Sequence, residues 1–187
     1  MSLEVRRNLE GALFLALFCL TVPAANWMIG HVGTVCPPNG PCLVPVAPGL
    51  MAPSGVLMIG LALVLRDLVQ RRLGAGFSIA AIACGAALSA VVAPPALVVA
   101  SAAAFLVSET ADFLVYTPLA RRRLITAVVV SSVVGLIVDS IIFLWLAFGS
   151  LDFLLGQVVG KAWMVLLAIP FVYYLRRRDE RLGLAPA

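Results

Sequence analysis

Four ionisable residues lie inside long apolar stretches of this sequence: Glu109, Asp112, Asp139 and Lys161. In the hydrocarbon of a membrane, each would cost about 2.5 kcal/mol or more unless it is paired or faces a water-filled cavity. Three acids against one base also leave an excess of negative charge. Buried groups of this kind bind polar ligands or ions, so these four are the first candidates for a functional site.

The spacing of these residues places several polar and aromatic side chains on shared helical faces. Residues three or four positions apart lie on one face of a helix. This rule groups Glu109 with Phe105, Asp112 and Tyr116, and it groups Lys161 with Gln157. We expect both faces to line one inward cavity, with Glu109 and Lys161 near mid-depth. Glu109 is the residue that we expect to contact a ligand directly.

Purely structural roles are open for several of these residues. Lys161 could pair with Asp139 or Glu109 and hold two helices together. Asp112 could instead be the counter-ion of the basic triplet at residues 121–123, and the two interpretations of Asp112 have equal weight.

Two further groups of residues favour packing or interface roles. Arg66 and Asp67 would mark the membrane interface and contact lipid headgroups or a loop. Gly156 and Gly160 form a small-xxx-small pair that is typical of close helix packing. Asn26 and five aromatic residues could surround a planar ligand. The aromatic residues are Trp27, Phe105, Phe143, Trp145 and Trp163. However, Trp commonly anchors at the membrane interface and Phe commonly faces lipid.

The sequence has none of the motifs that would indicate an enzyme. The single histidine lies outside the apolar stretches, and no GxSxG, HExxH, P-loop or dinucleotide-binding motif occurs. We therefore predict that the protein is not an enzyme and uses no cofactor or metal.

The composition defines the elements that must position these residues. Hydrophobic residues make up 63% of the chain, and the mean hydropathy is +1.10, which indicates an integral membrane protein. The 187 residues allow about six spans of about 20 residues with short connections. Backbone polar groups in hydrocarbon must be satisfied within helices or a closed barrel, and the strand alternation of a barrel is absent. We predict one all-α bundle with spans at 11–29, 50–65, 77–92, 95–117, 124–148 and 153–175.

Basic residues indicate the orientation of the bundle. Every Lys and Arg except Lys161 lies beside alternate ends of the spans: Arg6, Arg7, Arg66, Arg71, Arg72, Arg121, Arg122, Arg123, Arg176, Arg177, Arg178 and Arg181. The connections at 31–49, 94–95 and 149–152 contain no Lys or Arg. The positive-inside rule therefore predicts six spans with both termini in the cytoplasm. Anionic lipid headgroups are sufficient partners for this charge, and no nucleic-acid partner is predicted.

The four cysteines divide between a connection and the spans. Cys36 and Cys42 lie in the outward connection VCPPNGPCLVP, where an oxidising compartment would permit a disulfide. The sequence favours neither a disulfide between Cys36 and Cys42 nor two free thiols. Cys19 and Cys84 lie within spans, where a thiol packs as a small apolar group.

Several stretches resemble a known family. These are ASAAAFLVSETADFLVYTPLARRR, AVVVSSVVGLIVDSIIFLWLAFGS and GQVVGKAWM, which resemble the VUT family, the queuosine precursor transporters. LMAPSGVLMIGLALVLRDLVQRRLG is similar to the first conserved block of that family, so the resemblance extends from about Gly49 to Lys161.

The resemblance implies a function and a set of site residues. It implies import of 7-cyano-7-deazaguanine and 7-aminomethyl-7-deazaguanine across a bacterial inner membrane. It also implies a six-helix fold similar to the substrate-binding subunits of vitamin importers. The family's motif positions correspond here to Ser108, Glu109, Asp112, Tyr116, Asp139, Ser140, Gln157 and Lys161, with Arg66 and Asp67 from the first block. Ser131-Ser132, where many members have Ser-Asn, and Thr110, where an aliphatic residue is usual, depart from the pattern.

The chemistry of a guanine-like ligand fits this set. Its edge offers an N–H and an NH₂ side by side, which one carboxylate can accept together, and an amide can serve the carbonyl. Glu109 with Gln157 would supply both groups. Two alternatives are a vitamin-binding subunit that needs a separate ATP-driven module, and a scaffold whose buried charges only pair helices. The energy source, the preferred deazaguanine and self-association into a homo-oligomer stay open.

Overall fold

The computed structural model describes residues 2–38 and 40–184, which form a helical bundle and one short β-hairpin. The helices are α1 (Leu3–His31), α2 (Val56–Leu73), α3 (Ala75–Val92), α4 (Val98–Ala120), α5 (Leu124–Phe148) and α6 (Leu154–Leu182). The strands are β1 (Leu43–Ala47) and β2 (Leu50–Pro53), and a 3₁₀ turn at Pro95–Leu97 precedes α4. In the described part of the chain, five helices are long and apolar enough to cross a membrane: α1 and α3 to α6.

The second predicted span, at 50–65, is wrong at both ends. Its first residues form β2, and α2 begins at Val56 and continues to Leu73. The helix passes beyond Leu65 because its next residues, Arg66 and Asp67, find partners inside the bundle instead of ending the helix at an interface. Together with Arg71 and Arg72 they give α2 four charges, which is why α2 is not one of the five apolar helices. The hairpin is an addition to the predicted all-α fold.

Glycines separate some of the helices at positions with positive φ. Gly74, with φ of 91°, lies between α2 and α3, and Gly149, with φ of 63°, follows α5. Residues with a Cβ rarely adopt these conformations. Both residues therefore permit the chain to reverse within a very short connection.

Helix α2 is the centre of the bundle. It packs against each of the other five helices, and it contributes fully buried apolar residues such as Leu63 and Leu68. Many large apolar side chains on the other helices point outward, for example Leu20 on α1, Leu114 on α4 and Leu167 on α6. An outward apolar surface of this extent is what lipid requires and water does not tolerate.

The hairpin covers one end of the bundle and packs on α6. The indole Nε1 of Trp163 donates a hydrogen bond to the carbonyl of Val46 at 2.9 Å. Gly156 and Gly160 allow this approach, because a Cβ at Gly160 would lie 3.0 Å from Val46 Cγ1 of β1 and 2.6 Å from Val56 Cγ2 of α2. The small-xxx-small pair thus packs against the hairpin and the start of α2.

Cys36 and Cys42 form a disulfide before β1, with 1.97 Å between the sulfur atoms. We expect this bond in the purified protein, because the connection lies on the side that the basic residues predict to be outside. Alkylation without reduction should leave both residues unmodified in mass spectrometry, whereas prior reduction should add two labels in this peptide. Double labelling of the unreduced protein would contradict the prediction. The matched variant Cys84→Ser should leave the result unchanged.

Candidate functional site

Polar side chains inside the bundle form three groups at successive levels along the helices. The Lys161 group, nearest the hairpin, contains Ser108, Asp139, Ser140, Gln157 and Lys161. The Arg66 group, in the middle, contains Arg66, Asp67, Gln70, Glu109, Asp112 and Ser131. The Asp179 group, at the far ends of α2 and α6, contains Glu10, Arg71, Arg72, Arg178 and Asp179.

Lys161 is the centre of the first group and is 1% exposed. Its Nζ donates to Asp139 Oδ2 at 2.5 Å, to Gln157 Oε1 at 2.7 Å and to Ser140 Oγ at 2.8 Å. Three acceptors match the three donors of an ammonium group. The hydroxyl of Ser108 donates to the other oxygen of Asp139 at 3.4 Å. Lys161 therefore pairs with Asp139, one of the two partners that the sequence allows.

A cavity lies beside this group, at the hairpin end of the bundle. The empty space in and around it is about 530 Å³, part of which is open to the outside. Asp139, Gln157 and Lys161 provide charged and amide groups on its wall. The remaining lining comes mainly from α1, the start of α2 and the first half of α4: Val22, Ala25, Asn26, Ile29, Pro53, Gly55, Val56, Ile59, Ser89, Ser101, Ala104, Phe105 and Phe143.

Arg66 is fully buried and holds three carboxylates. Its Nε donates to Glu109 Oε2 at 3.3 Å, its Nη2 donates to Asp112 Oδ1, and Asp67 Oδ1 lies 2.8 Å from Nη2. The interpretation of Arg66 and Asp67 as an interface pair is wrong. They lie midway along the bundle because α2 is longer than predicted and directs them toward α4 and α5.

Asp112 also differs from one of its two predicted roles. It is fully buried, and its partner is Arg66 instead of the basic triplet at 121–123, which is exposed. The triplet follows the end of α4, more than two turns beyond Asp112. The counter-ion interpretation is therefore wrong.

The predicted site residues divide between two levels. Asn26, Phe105, Asp139, Gln157 and Lys161 line the cavity, and Ser108 supports Asp139 from behind. Glu109, Asp112 and Tyr116 are not among the residues that line it. They are buried one to three turns further along α4, where Glu109 and Asp112 bind Arg66 and the Tyr116 ring lies 5.4 Å from the Arg66 guanidinium.

The length of the α4 face explains this division. The face is buried from Phe105 to Tyr116, as the spacing predicted. Eleven residues of helix extend about 16 Å, which is too long for one small cavity. Ser89 and Pro53 also line the cavity, and no pattern in the sequence singled them out.

The predicted aromatic residues have different positions. Phe143 lines the cavity with Phe105. Trp27, Trp145 and Trp163 are at least half exposed on the outer surface, and Trp27 stacks on His31 with 5.2 Å between ring centres. These tryptophans are therefore surface residues.

The Asp179 group joins α1, α2 and α6 at the end opposite the hairpin. The Asp179 carboxylate accepts hydrogen bonds from Arg71 at 2.8 Å and from Arg72 at 2.9 Å. Glu10 of α1 lies 3.0 Å from Arg72 Nε and accepts from Arg178 at 2.6 Å. These ion pairs join the ends of α1, α2 and α6 at this level.

Gly60 sets the distance between α2 and α6 at the level of Lys161. A Cβ on Gly60 would lie 2.6 Å from the carbonyl oxygen and 2.9 Å from the Cα of Lys161. We expect Gly60→Ala to lower the stability by about 1–3 kcal/mol and to weaken ligand binding, because backbone must move. Gly30→Ala is the matched control, since nothing lies within 4 Å of its Cβ position. Equal melting temperatures for the two variants would contradict the prediction.

The chain thus forms a multi-pass helical bundle whose internal cavity combines a mainly apolar wall with the polar groups of Asp139, Gln157 and Lys161. The family model described as "Putative vitamin uptake transporter" matches residues 55–175. The chain belongs to this family. No curated protein and no solved structure matches the chain.

Proposed function

We propose that this protein imports the queuosine precursors 7-cyano-7-deazaguanine and 7-aminomethyl-7-deazaguanine into the cytoplasm, and that the cavity beside Lys161 is the binding site. The family supports uptake of a small molecule. The observation that carries the choice of ligand is one carboxylate, one ammonium and two amides on the wall of a cavity that also contains aromatic rings. These are the groups that a planar heterocycle with paired donors and a carbonyl requires.

The ligand edge with its N–H and NH₂ would face Asp139. A carboxylate has about four acceptor sites, and Lys161 and Ser108 occupy one on each oxygen. The remaining sites can accept both ligand donors. This assigns to Asp139 the role that the sequence suggested for Glu109, because Asp139 lines the cavity and Glu109 is bound to Arg66.

The other side chains would complete the contacts. The oxygen of Gln157 already accepts from Lys161, so its amide NH₂ is the group available to the ligand carbonyl. Phe105 and Phe143 offer ring surfaces for the flat faces of the heterocycle, and Asn26 offers a further amide. Ser108 would keep the Asp139 carboxylate in place without touching the ligand.

The position of the cavity fits import. It lies at the hairpin end, and the basic residues predict that this end faces outward. The Asp179 group joins α1, α2 and α6 at the opposite end. We infer that this conformation accepts a ligand from outside, and that the helix ends joined by the Asp179 group must separate before the ligand can leave.

The proposed topology has six spans, including α2, with both termini inside. A cysteine introduced at exposed Asp152, between α5 and α6, should react with an impermeant maleimide added to intact cells, whereas one at exposed Arg122 should not. The background is a variant without native cysteines. We expect complete labelling at the outer site and no labelling at Arg122. Labelling at Arg122 alone would exclude this orientation.

Ligand binding tests the proposed function. The purified protein should be stabilised against heating by either deazaguanine and less by guanine, with direct titration as the quantitative measurement. Asp139→Asn should weaken binding more than Glu109→Gln, because only Asp139 faces the cavity. Absence of binding for both deazaguanines would refute the proposal.

A second candidate is a different planar vitamin, which the family description favours. Common vitamins therefore belong in the same thermal-shift series. A larger stabilisation by one of them, lost in Asp139→Asn, would assign the cavity to that vitamin. Co-purification of an ATPase pair would indicate the ATP-driven arrangement.

A further inference from the structure

The Arg66 group has more acids than one base can neutralise. Arg66 faces Asp67, Glu109 and Asp112, so full ionisation would leave a formal charge of −2 in a region without solvent contact. Buried charges without partners are strongly unfavourable. The buried group therefore needs a further positive charge, for example a bound proton, to offset part of this negative charge.

Several polar atoms at this position also have no hydrogen-bond partner. Within residues 2–38 and 40–184, these include Asp112 Oδ2 and the hydroxyl of Tyr116, and Asp67 Oδ1 lies 2.8 Å from Arg66 Nη2 without the geometry of a hydrogen bond. All three residues are at most 1% exposed. Asp67 and Asp112 both approach the same nitrogen of Arg66, so neither carboxylate has this donor to itself. A proton on one carboxylate would remove one negative charge and supply the missing donor.

We propose that the Asp67–Asp112 pair is the proton-binding site that couples import to the proton gradient across the membrane. This proposal rests on the proposed function for the identity of the transported ligand only. One proton from the outside would convert one of the two carboxylates to a carboxylic acid, and its release inside would restore the carboxylate. The proton is assigned to the pair and not to one residue, since both carboxylates contact the same guanidinium nitrogen.

The surroundings of the pair contain few other charged groups. From α4 they include Glu109 and Tyr116, and from α2 Arg66 with Arg71 and Arg72 one and two turns beyond. Helix α5 contributes the hydroxyl of Ser131, which donates to Asp67 Oδ2 at 3.1 Å. Lys161 of α6 is bound to Asp139, and Glu10 of α1 to Arg72. The neighbouring bases other than Arg66 are therefore already paired with other acids.

Helix α4 connects this pair to the ligand site. Phe105 lines the cavity, and Ser108 binds Asp139. Glu109 and Asp112 bind Arg66 on the same buried face. A movement of α4 that follows a change at one level therefore changes contacts at the other. Helix α4 is therefore the element through which we expect the two levels to be coupled.

Transport in proteoliposomes tests the coupling. Interior and exterior pH, membrane potential and sodium are set independently, and labelled 7-cyano-7-deazaguanine is the substrate. With one proton per ligand, an outside that is one pH unit more acidic should drive about tenfold accumulation. Asp67→Asn should remove this accumulation and keep ligand exchange between the two sides. Asp152→Asn, at an exposed carboxylate, should behave as wild type.

Infrared spectroscopy tests the proton site without any ligand. The ligand-free protein should show a carboxylic acid carbonyl band that disappears as the pH rises. The band should be lost in Asp67→Asn or Asp112→Asn and kept in Asp152→Asn. A titrating band in a protein that binds no deazaguanine would refute the proposed substrate and support the proton site. Accumulation driven by sodium alone, accumulation that ignores the pH gradient, or a band that both variants keep would overturn the proton proposal.

Discussion

Replacing Arg66 with Met is expected to lower the free energy of unfolding by about 3–5 kcal/mol, the range for breaking a buried ion pair by removing one partner. Three carboxylates lose the guanidinium that they share. Met keeps most of the apolar stem of the side chain, so lost packing contributes little. Because α2 packs against every other helix, we expect the loss to affect the whole bundle.

Reversible unfolding in mixed micelles measures this effect. The matched control is Arg121→Met, at an exposed arginine, which should change stability by less than about 0.5 kcal/mol. Adding Glu109→Gln and Asp112→Asn to Arg66→Met should recover part of the loss, because two of the orphaned charges are then removed. Equal stability of the Arg66→Met and Arg121→Met proteins would contradict the ion-pair account.

The variant Asp139→Ala is expected to weaken deazaguanine binding by about 100-fold. Two buried ligand donors lose their acceptor at about 1–3 kcal/mol each, and each 1.4 kcal/mol is about tenfold in affinity. The same change leaves the Lys161 ammonium without its carboxylate partner at 2.5 Å. We therefore expect a loss of stability as well, and the two effects must be separated.

A double variant separates them. Asp139→Ala combined with Lys161→Met removes both charges, and it should recover most of the stability that Asp139→Ala loses. Affinity should stay low, because the acceptor for the ligand edge is still missing. Recovery of both stability and affinity would show that the pair only holds α5 and α6 together. Asp152→Ala, at an exposed acid between the same two helices, is the control.

The sequence predicts much of the helical framework because lipid imposes a simple pattern. The predicted span at 124–148 has the same bounds as helix α5, and the predicted span at 77–92 ends with α3 at Val92. The pattern failed at α2, where Arg66 and Asp67 looked like the end of a span. Whether a charge ends a helix depends on partners, and these lie 43 to 46 residues away on α4. Local patterns carry no information at that separation.

The candidate site was predictable as a set of residue types and less so as an arrangement. The high free-energy cost of burying a charge pointed to Asp139 and Lys161 as candidates. The spacing of residues three or four positions apart identified the buried face of α4. Neither observation gives the depth at which helices meet, so residues of two levels were assigned to one cavity. The hairpin was missed because its Pro- and Gly-rich stretch follows neither a helical nor a long strand pattern.

The burial of Arg66 has a consequence for how this protein enters the membrane during synthesis. A charged residue at the centre of an isolated helix costs about 2.5–3.5 kcal/mol on the insertion scale, and α2 carries both Arg66 and Asp67. The ribosome makes α2 well before Glu109 and Asp112 exist. We expect nascent α2 to stay beside the translocon until α4 arrives and supplies its carboxylates, so that α2 and α4 integrate together. A chain truncated after α3 should therefore leave α2 outside the bilayer, whereas a chain that extends through α4 should insert it.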